Sequence, residues 1–181
     1  MTDANTNVSL EALEGAIEAA IKAQFPTIGT VEFYREERRP VVAPAVLLEM
    51  SEFEPHKASF DAGTGQLVVD ATFEARLLLP FKVPRVKQEI RKLAASFAAW
   101  IHLRRWPGIP NGECQFMSAY PDGFSVEQDQ YEAWRVTWEQ KIFLGDTVWT
   151  APDWGPTTVW LQERIDGEKD GDEKYLGTLE T

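Results

Sequence analysis

From Gln66 to Leu79 the segment QLVVDATFEARLLL alternates with a period of two. Leu67, Val69, Ala71, Phe73, Ala75 and Leu77 point one way, while Gln66, Asp70, Thr72 and Glu74 mostly point the other. Successive side chains of a strand leave opposite faces, so this stretch commits the chain to a sheet with one apolar face and one wetter face. The rest of the sequence has to supply partner strands and a cover for the apolar side.

Two segments are suited to be that cover. Ser9 can cap a helix in which Leu10, Leu13, Ile17, Ala20 and Ile21 recur at helical spacing, while Glu11, Glu14 and Glu18 face outward. The acidic first turns suit the helix dipole, and Pro26 ends the helix after Phe25. A second helix is expected over roughly Val83 to Arg104, with Val86, Ile90, Leu93, Phe97, Trp100 and Ile101 as its apolar line. At that extent it would run about 33 Å, enough to cross a small sheet. The segment Trp106-Pro107-Gly108-Ile109-Pro110-Asn111-Gly112 stops it.

Partner strands are expected at Thr30 to Tyr34, Pro44 to Phe53, Glu113 to Tyr120 and Tyr131 to Leu144. A charged turn or loop, Arg35 to Pro40, follows the first of them, and Ala62-Gly63-Thr64-Gly65 is turn-forming, so the Pro44 and Gln66 strands should pair. In the last strand the apolar line Trp134, Val136, Trp138 is interrupted and resumes at Ile142 and Leu144, so a bulge or a change of face is expected near Gln140 and Lys141. The order is α-β-β-β-α-β-β, an α+β fold with a mixed or antiparallel sheet and two helices packed on it. Residues 1–145 form the expected single domain. Residues 146–181 read as a Trp-containing arm and an acidic C-terminal tail.

Composition narrows the function. Eighteen Lys and Arg against 29 Asp and Glu give a formal charge of −11, a field that repels nucleic-acid phosphates and anionic membranes. The only cysteine, Cys114, cannot form an internal disulfide, which suits a reducing compartment. The N-terminal residues lack a basic region followed by an apolar stretch, and no window approaches the roughly 18 apolar residues of a membrane span. Neither export by a signal peptide nor membrane insertion is expected.

No catalytic or metal-binding constellation stands out, and no catalytic, cofactor or metal residue is assigned. His56 with Asp61, or His102 among Arg104 and Arg105, are isolated histidines with little to assemble around them. Cys114 lies between Glu113 and Gln115, which do nothing to lower its pKa. Asp122 with Glu127, or Asp129 with Glu132, are pairs that 29 acids produce by chance, and the acidic run from Asp166 matches a calcium loop only in composition. Gly63-Thr64-Gly65 lacks the third glycine and the lysine of a phosphate loop. The expectation is a protein that is not an enzyme, carries no cofactor and acts by binding other protein subunits.

Candidate interface residues fall in two groups. Lys82, Arg85, Lys87, Arg91 and Lys92, continued by Arg104 and Arg105, give the second helix a basic face, either a docking site for an acidic neighbour or a plain solvated surface. Trp149, Trp154 and Trp160, with Tyr175 beyond them, fall outside any core periodicity, so these aromatics either fold back onto the domain or anchor a partner.

The element order, the Pro-Ala-Val-Leu-Leu strand from Pro44 to Leu48, the strand ending Leu77-Leu78-Leu79-Pro80 and the helix ending near Trp100 to Trp106 resemble the tail terminator (tail-completion) proteins of long-tailed bacteriophages. The resemblance spans Leu10 to Leu161 and is one of apolar pattern and element order. It implies a ring, typically of six copies, that caps the tail tube and meets the head–tail connector protein. The partners would then be other copies of the chain, the tail tube protein and the connector, with DNA passing through unbound. The place would be the tail–neck region of the virion, after assembly in the host cytoplasm. The acidic charge would keep subunits soluble and line a lumen to which DNA does not stick. The long Trp-rich, acidic C-terminal extension departs from the family pattern, which keeps another phage neck or minor tail protein as an alternative. A rival of a different class is an acidic DNA mimic that inhibits a nucleic-acid-binding protein.

Overall fold

A computed structural model of the chain describes residues 7–34, 41–56, 63–123 and 130–148. They form an α+β fold in which α1 (Leu10–Gln24), β1 (Thr30–Phe33), β2 (Ala45–Pro55), β3 (Leu67–Pro80), α2 (Val86–Ile101), β4 (Asn111–Pro121) and β5 (Tyr131–Leu144) follow in order. The sheet has five strands in the order β1-β2-β3-β5-β4. It is mixed: β1 runs parallel to β2, and every other pairing is antiparallel.

The long alternating segment becomes the central strand. β3 pairs with β5 without interruption from Leu67 opposite Leu144 to Pro80 opposite Tyr131. Val69, Ala71, Phe73, Ala75 and Leu77 are all buried on the side that the helices cover. Phe73 stacks on Trp138, its direct partner across the sheet, with ring centroids 5.4 Å apart. Such a pair adds about 0.5–1.5 kcal/mol to the burial of its area.

α1 starts as its sequence dictates. The Ser9 Oγ accepts a hydrogen bond from the Ala12 amide at 3.3 Å, and Leu13, Ile17 and Ile21 are buried. At the other end Phe25, held out of helical geometry by Pro26, gives its amide to the Ile21 carbonyl at 2.9 Å. α2 is shorter than the expected Val83 to Arg104. Arg85 has a left-handed backbone at φ 55° and no side-chain capping bond, so the helix begins only at Val86; at the far end Leu103, at φ 60°, breaks the path after Ile101. Sixteen residues give a helix of about 24 Å rather than 33 Å. It packs over β3, β4 and β5 through Ile90, Ala94, Phe97 and Ile101, while α1 packs against β1.

β5 keeps one register with β3 through Gln140 and Lys141, and the irregularity expected there lies on its other neighbour. β4 bulges between Asn111 and Cys114, which pair with Ile142 and Gln140, so the bulge faces Lys141. Further bulges lie on β2, between Met50 and Glu52, and on β4, between Phe116 and Ser118. The apolar line of β5 is not shifted. It continues through Gln140, a polar residue only 1% exposed. The Trp106 Nε1–H donates to Gln140 Oε1 at 2.8 Å, and Gln140 Nε2 donates to Asn111 Oδ1 at 2.6 Å and to the Gly112 carbonyl at 2.8 Å. Asn111 in turn gives its Nδ2 to the Trp106 and Ile109 carbonyls. This buried knot ties the exit of α2 to both strands beneath it, and each of these Gln140 polar groups is satisfied, as burial requires.

Residues 146–148, read from sequence as the start of the arm, pack on the domain. Thr147 is buried, and the Val148 amide donates to the Thr64 carbonyl at 2.8 Å. Gly65, at φ 70°, leaves room for this return, because a Cβ there would lie 2.7 Å from the Val148 side chain. The remaining arm residues, 149–181, lie outside the described residues.

Candidate protein-interaction surfaces

Among the described residues the helices cover one face of the sheet, and no helix lies on the other. Cross-strand partners share a face in an antiparallel pair, so the register reads out the open side in rows. One row is Leu47, Arg76, Arg135 and Tyr120; the next is Glu49, Glu74, Thr137 and Ser118; the third is Glu52, Thr72, Glu139 and Gln115; and the fourth is Glu54, Asp70 and Lys141. A small apolar cluster of Val41, Ala45, Leu78 and Ala133, backed by Leu47 and Tyr131, closes one end of this face. The Tyr131 hydroxyl fixes the cluster by donating to the Val41 carbonyl at 3.1 Å.

Part of the charge on the open face is internally neutralised. Arg135 meets Glu74 Oε2 at 2.8 Å and Asp122 Oδ2 at 3.4 Å, while Arg76 Nε meets the same Asp122 oxygen at 2.5 Å. The Arg135 guanidinium also lies 5.9 Å from the centre of the Tyr120 ring. Burial alone would lower the Arg135 pKa, but Asp122 and Glu74 more than offset it and hold the group above its ordinary value. His56 Nδ1 lies 2.8 Å from both carboxylate oxygens of Asp70. Glu49, Glu52, Glu54 and Glu139 make no ion pair among the described residues.

The basic face read from sequence divides in two. Arg85 and Arg91 are exposed and make no ion pair among the described residues, as is true of Lys82 and Lys87. Arg104 and Arg105 are engaged within the fold. The Arg104 guanidinium sits 4.2 Å from the centre of the Trp100 ring, with its Nε donating to the Trp100 carbonyl at 3.2 Å, and Arg105 meets Glu113 at 3.1 Å. The available cations are therefore those at the start of α2. The other interface candidates, Trp149, Trp154, Trp160 and Tyr175, lie outside the described residues.

The groups weighed for chemistry fall apart. Cys114 is fully buried, and burial pushes its thiol up to about 12, only partly opposed by Arg104. Burial, rather than the neighbouring Glu113, is what suppresses its thiolate. Asp61, the suggested partner of His56, lies outside the described residues, and Asp122 is taken up by the two arginines. His102 is exposed. Among the described residues no three His, Cys, Asp or Glu side chains gather as a metal ion requires, and no helix is long and apolar enough to cross a membrane.

Sequence reasoning passed over the acids of the open face. Glu49 and the pair Glu52 and Glu54 carried a legible signal, charges at strand spacing, yet only the strand register places them in one plane with Glu139. The outer edge of the sheet was also missed. Among the described residues β4 pairs only with β5, and it exposes Phe116, Met117 and Tyr120 along its length.

No family model matches this chain. The curated proteins likewise contain no match to it.

Proposed function

We propose that this chain is a structural protein of a long-tailed bacteriophage, a tail terminator whose copies form a ring that caps the tail tube and joins it to the head connector. The observation that carries the reading is the element order. Two helices lie on one side of a mixed sheet in the sequence α-β-β-β-α-β-β, the arrangement that the resemblance in apolar pattern implies. A ring subunit needs two unlike surfaces, one for each neighbour. The described residues give the sheet a helix-covered side and a side without helices, two such unlike surfaces. The acidic balance suits a subunit that stays soluble before assembly and a lumen that passes DNA without holding it.

In this reading the partners are other copies of the chain, the tube protein on one side of the ring and the connector on the other. The place is the tail–neck region of the particle, and no catalytic step or cofactor takes part. Electron microscopy of the purified full chain tests it. Closed rings with an axial hole, six copies around by the resemblance, are expected. Particles without rotational symmetry at every concentration contradict it.

One observation favours a second reading. The carboxylates of the open face that make no ion pair among the described residues stand in rows, with Glu52 and Glu54 about 6.7 Å apart along one strand and Glu139 two strands away. An inhibitor that imitates the phosphates of DNA needs such an array. Displacement of nucleic-acid-binding proteins from DNA-cellulose by the purified chain would favour this reading over the first.

A further inference from the structure

We infer that the open acidic face of the sheet and the basic start of α2 are the two halves of a single contact, made head to tail between copies of this chain. The inference rests on the assembly reading in needing a second copy, and it goes further in naming the surfaces.

Each surface is repulsive within its own chain. Lys82, Arg85 and Lys87 gather at the N-terminal end of α2, and Arg91 lies one turn further along the same outer side. A helix already presents partial positive charge at that end, so cations there oppose its dipole. The first turn has one acid, Glu89, and it is bound to Lys92 at 2.8 Å. Arg85 occupies the capping position and supplies no capping bond. On the open face, Glu49 stands directly opposite Glu74, and Glu52 and Glu139 flank Thr72 on either side. Like charges across a strand pair destabilise it. Arg135 answers Glu74, and among the described residues Glu49, Glu52, Glu54 and Glu139 have no ion-pair partner.

Local rules broken without compensation among the described residues mark surfaces that a partner can complete. Here the two breaches have opposite sign and lie on opposite layers of one fold, so they cannot meet within a chain. Between chains they can. Beyond Arg91 the outer side of α2 carries Ala95, Ser96 and Ala99, small residues that let a facing surface approach. Because the two patches differ, the contact is heterologous: each copy gives its helix to one neighbour and its sheet to another, closing into a ring when the rotation permits.

The test uses three variants of the full chain in sedimentation or light scattering at low ionic strength. Lys87→Glu with Arg91→Glu reverses the helix, Glu49→Lys with Glu52→Lys reverses the sheet, and the third carries all four changes. All are at surface positions, and circular dichroism checks their folding. Each double variant should lose at least about tenfold in self-association, and salt should weaken the wild type. An equimolar mixture of the two doubles should associate again. So should the fourfold variant, which has the wild-type net charge and a contact of inverted polarity.

Wild-type oligomers that neither double variant weakens would overturn this contact and leave the ring standing on other surfaces. A wild type that is monomeric at every concentration removes the contact and the ring together. Association abolished by inorganic phosphate at constant ionic strength, but indifferent to the sheet variant, assigns the helix end to an anion and overturns the pairing.

Discussion

Arg76 and Arg135 stand directly opposite each other on β3 and β5, and the carboxylate of Asp122 lies between their guanidinium groups. Two like charges at facing positions of a strand pair repel, and this pair is tolerable because a third group bridges it. Asp122 sits just past the end of β4, with its side chain 3% exposed, and its amide donates to the Ala133 carbonyl at 3.0 Å. The bridge thus fixes the edge strand to the two central strands on the open face.

Asp122→Asn keeps the shape and removes the charge, leaving two arginines face to face. The expected loss of stability is about 2 kcal/mol, below that of a fully buried pair because Arg76 remains a third exposed to water. Urea unfolding of the variant and wild type measures it. A midpoint unchanged by the substitution would show that solvent already neutralises the pair.

Gln140→Leu removes the centre of the buried knot. It strands the Trp106 indole N–H away from water and takes a donor from the half-buried Gly112 carbonyl, and a loss of about 2 kcal/mol is expected. Trp106 fluorescence should also shift, since its environment loses an acceptor. Equal stability of variant and wild type would mean that apolar packing alone holds the exit of α2.

The Cys114 thiol carries a pH dependence with a definite sign. Its folded pKa lies near 12, above the ordinary value of 9.0, so the native state keeps its proton where the unfolded state has lost it. Stability from this group is whole below pH 9 and falls as pH rises from 9 towards 12, by roughly 1.4 kcal/mol per unit. Cys114→Ala should flatten that part of the stability profile. In the native wild type at pH 8, a thiol reagent should label Cys114 no faster than the chain opens.

Arg104 and Arg91, both read from sequence as interface residues, should separate by experiment. Arg104→Ala gives up the contact over Trp100 and should cost about 1 kcal/mol of stability with no change in association. Arg91→Ala should leave stability within about 0.5 kcal/mol and weaken association. A thermal melt and a sedimentation series on the same two variants distinguish them, and the reverse pattern would exchange their roles.

The fold was legible where hydrophobic period decides structure. The alternation of Leu67 to Leu77 defines the central strand, Ser9 and Pro26 bound α1, and Tyr131 to Leu144 is one strand as read. What misled was polarity in the core. Gln140 breaks an apolar line in the sequence but not in space, because its amide is satisfied by Trp106, Asn111 and Gly112, groups that only the folded chain brings near. The ends of α2 were misjudged because Arg85 and Leu103 take left-handed backbones that no composition signal announces. Of the interface residues, Arg85 and Arg91 were visible as a charge cluster. The acids they are proposed to meet were not, since Glu49, Glu52 and Glu139 become neighbours only through strand register.

Native mass in solution, followed by light scattering behind gel filtration over a wide range of concentration, shows directly whether this chain binds copies of itself. The mass should rise from the 20.5 kDa subunit to one closed oligomer and then stop increasing. A mass that stays at one subunit throughout, at low and at moderate salt, would contradict it.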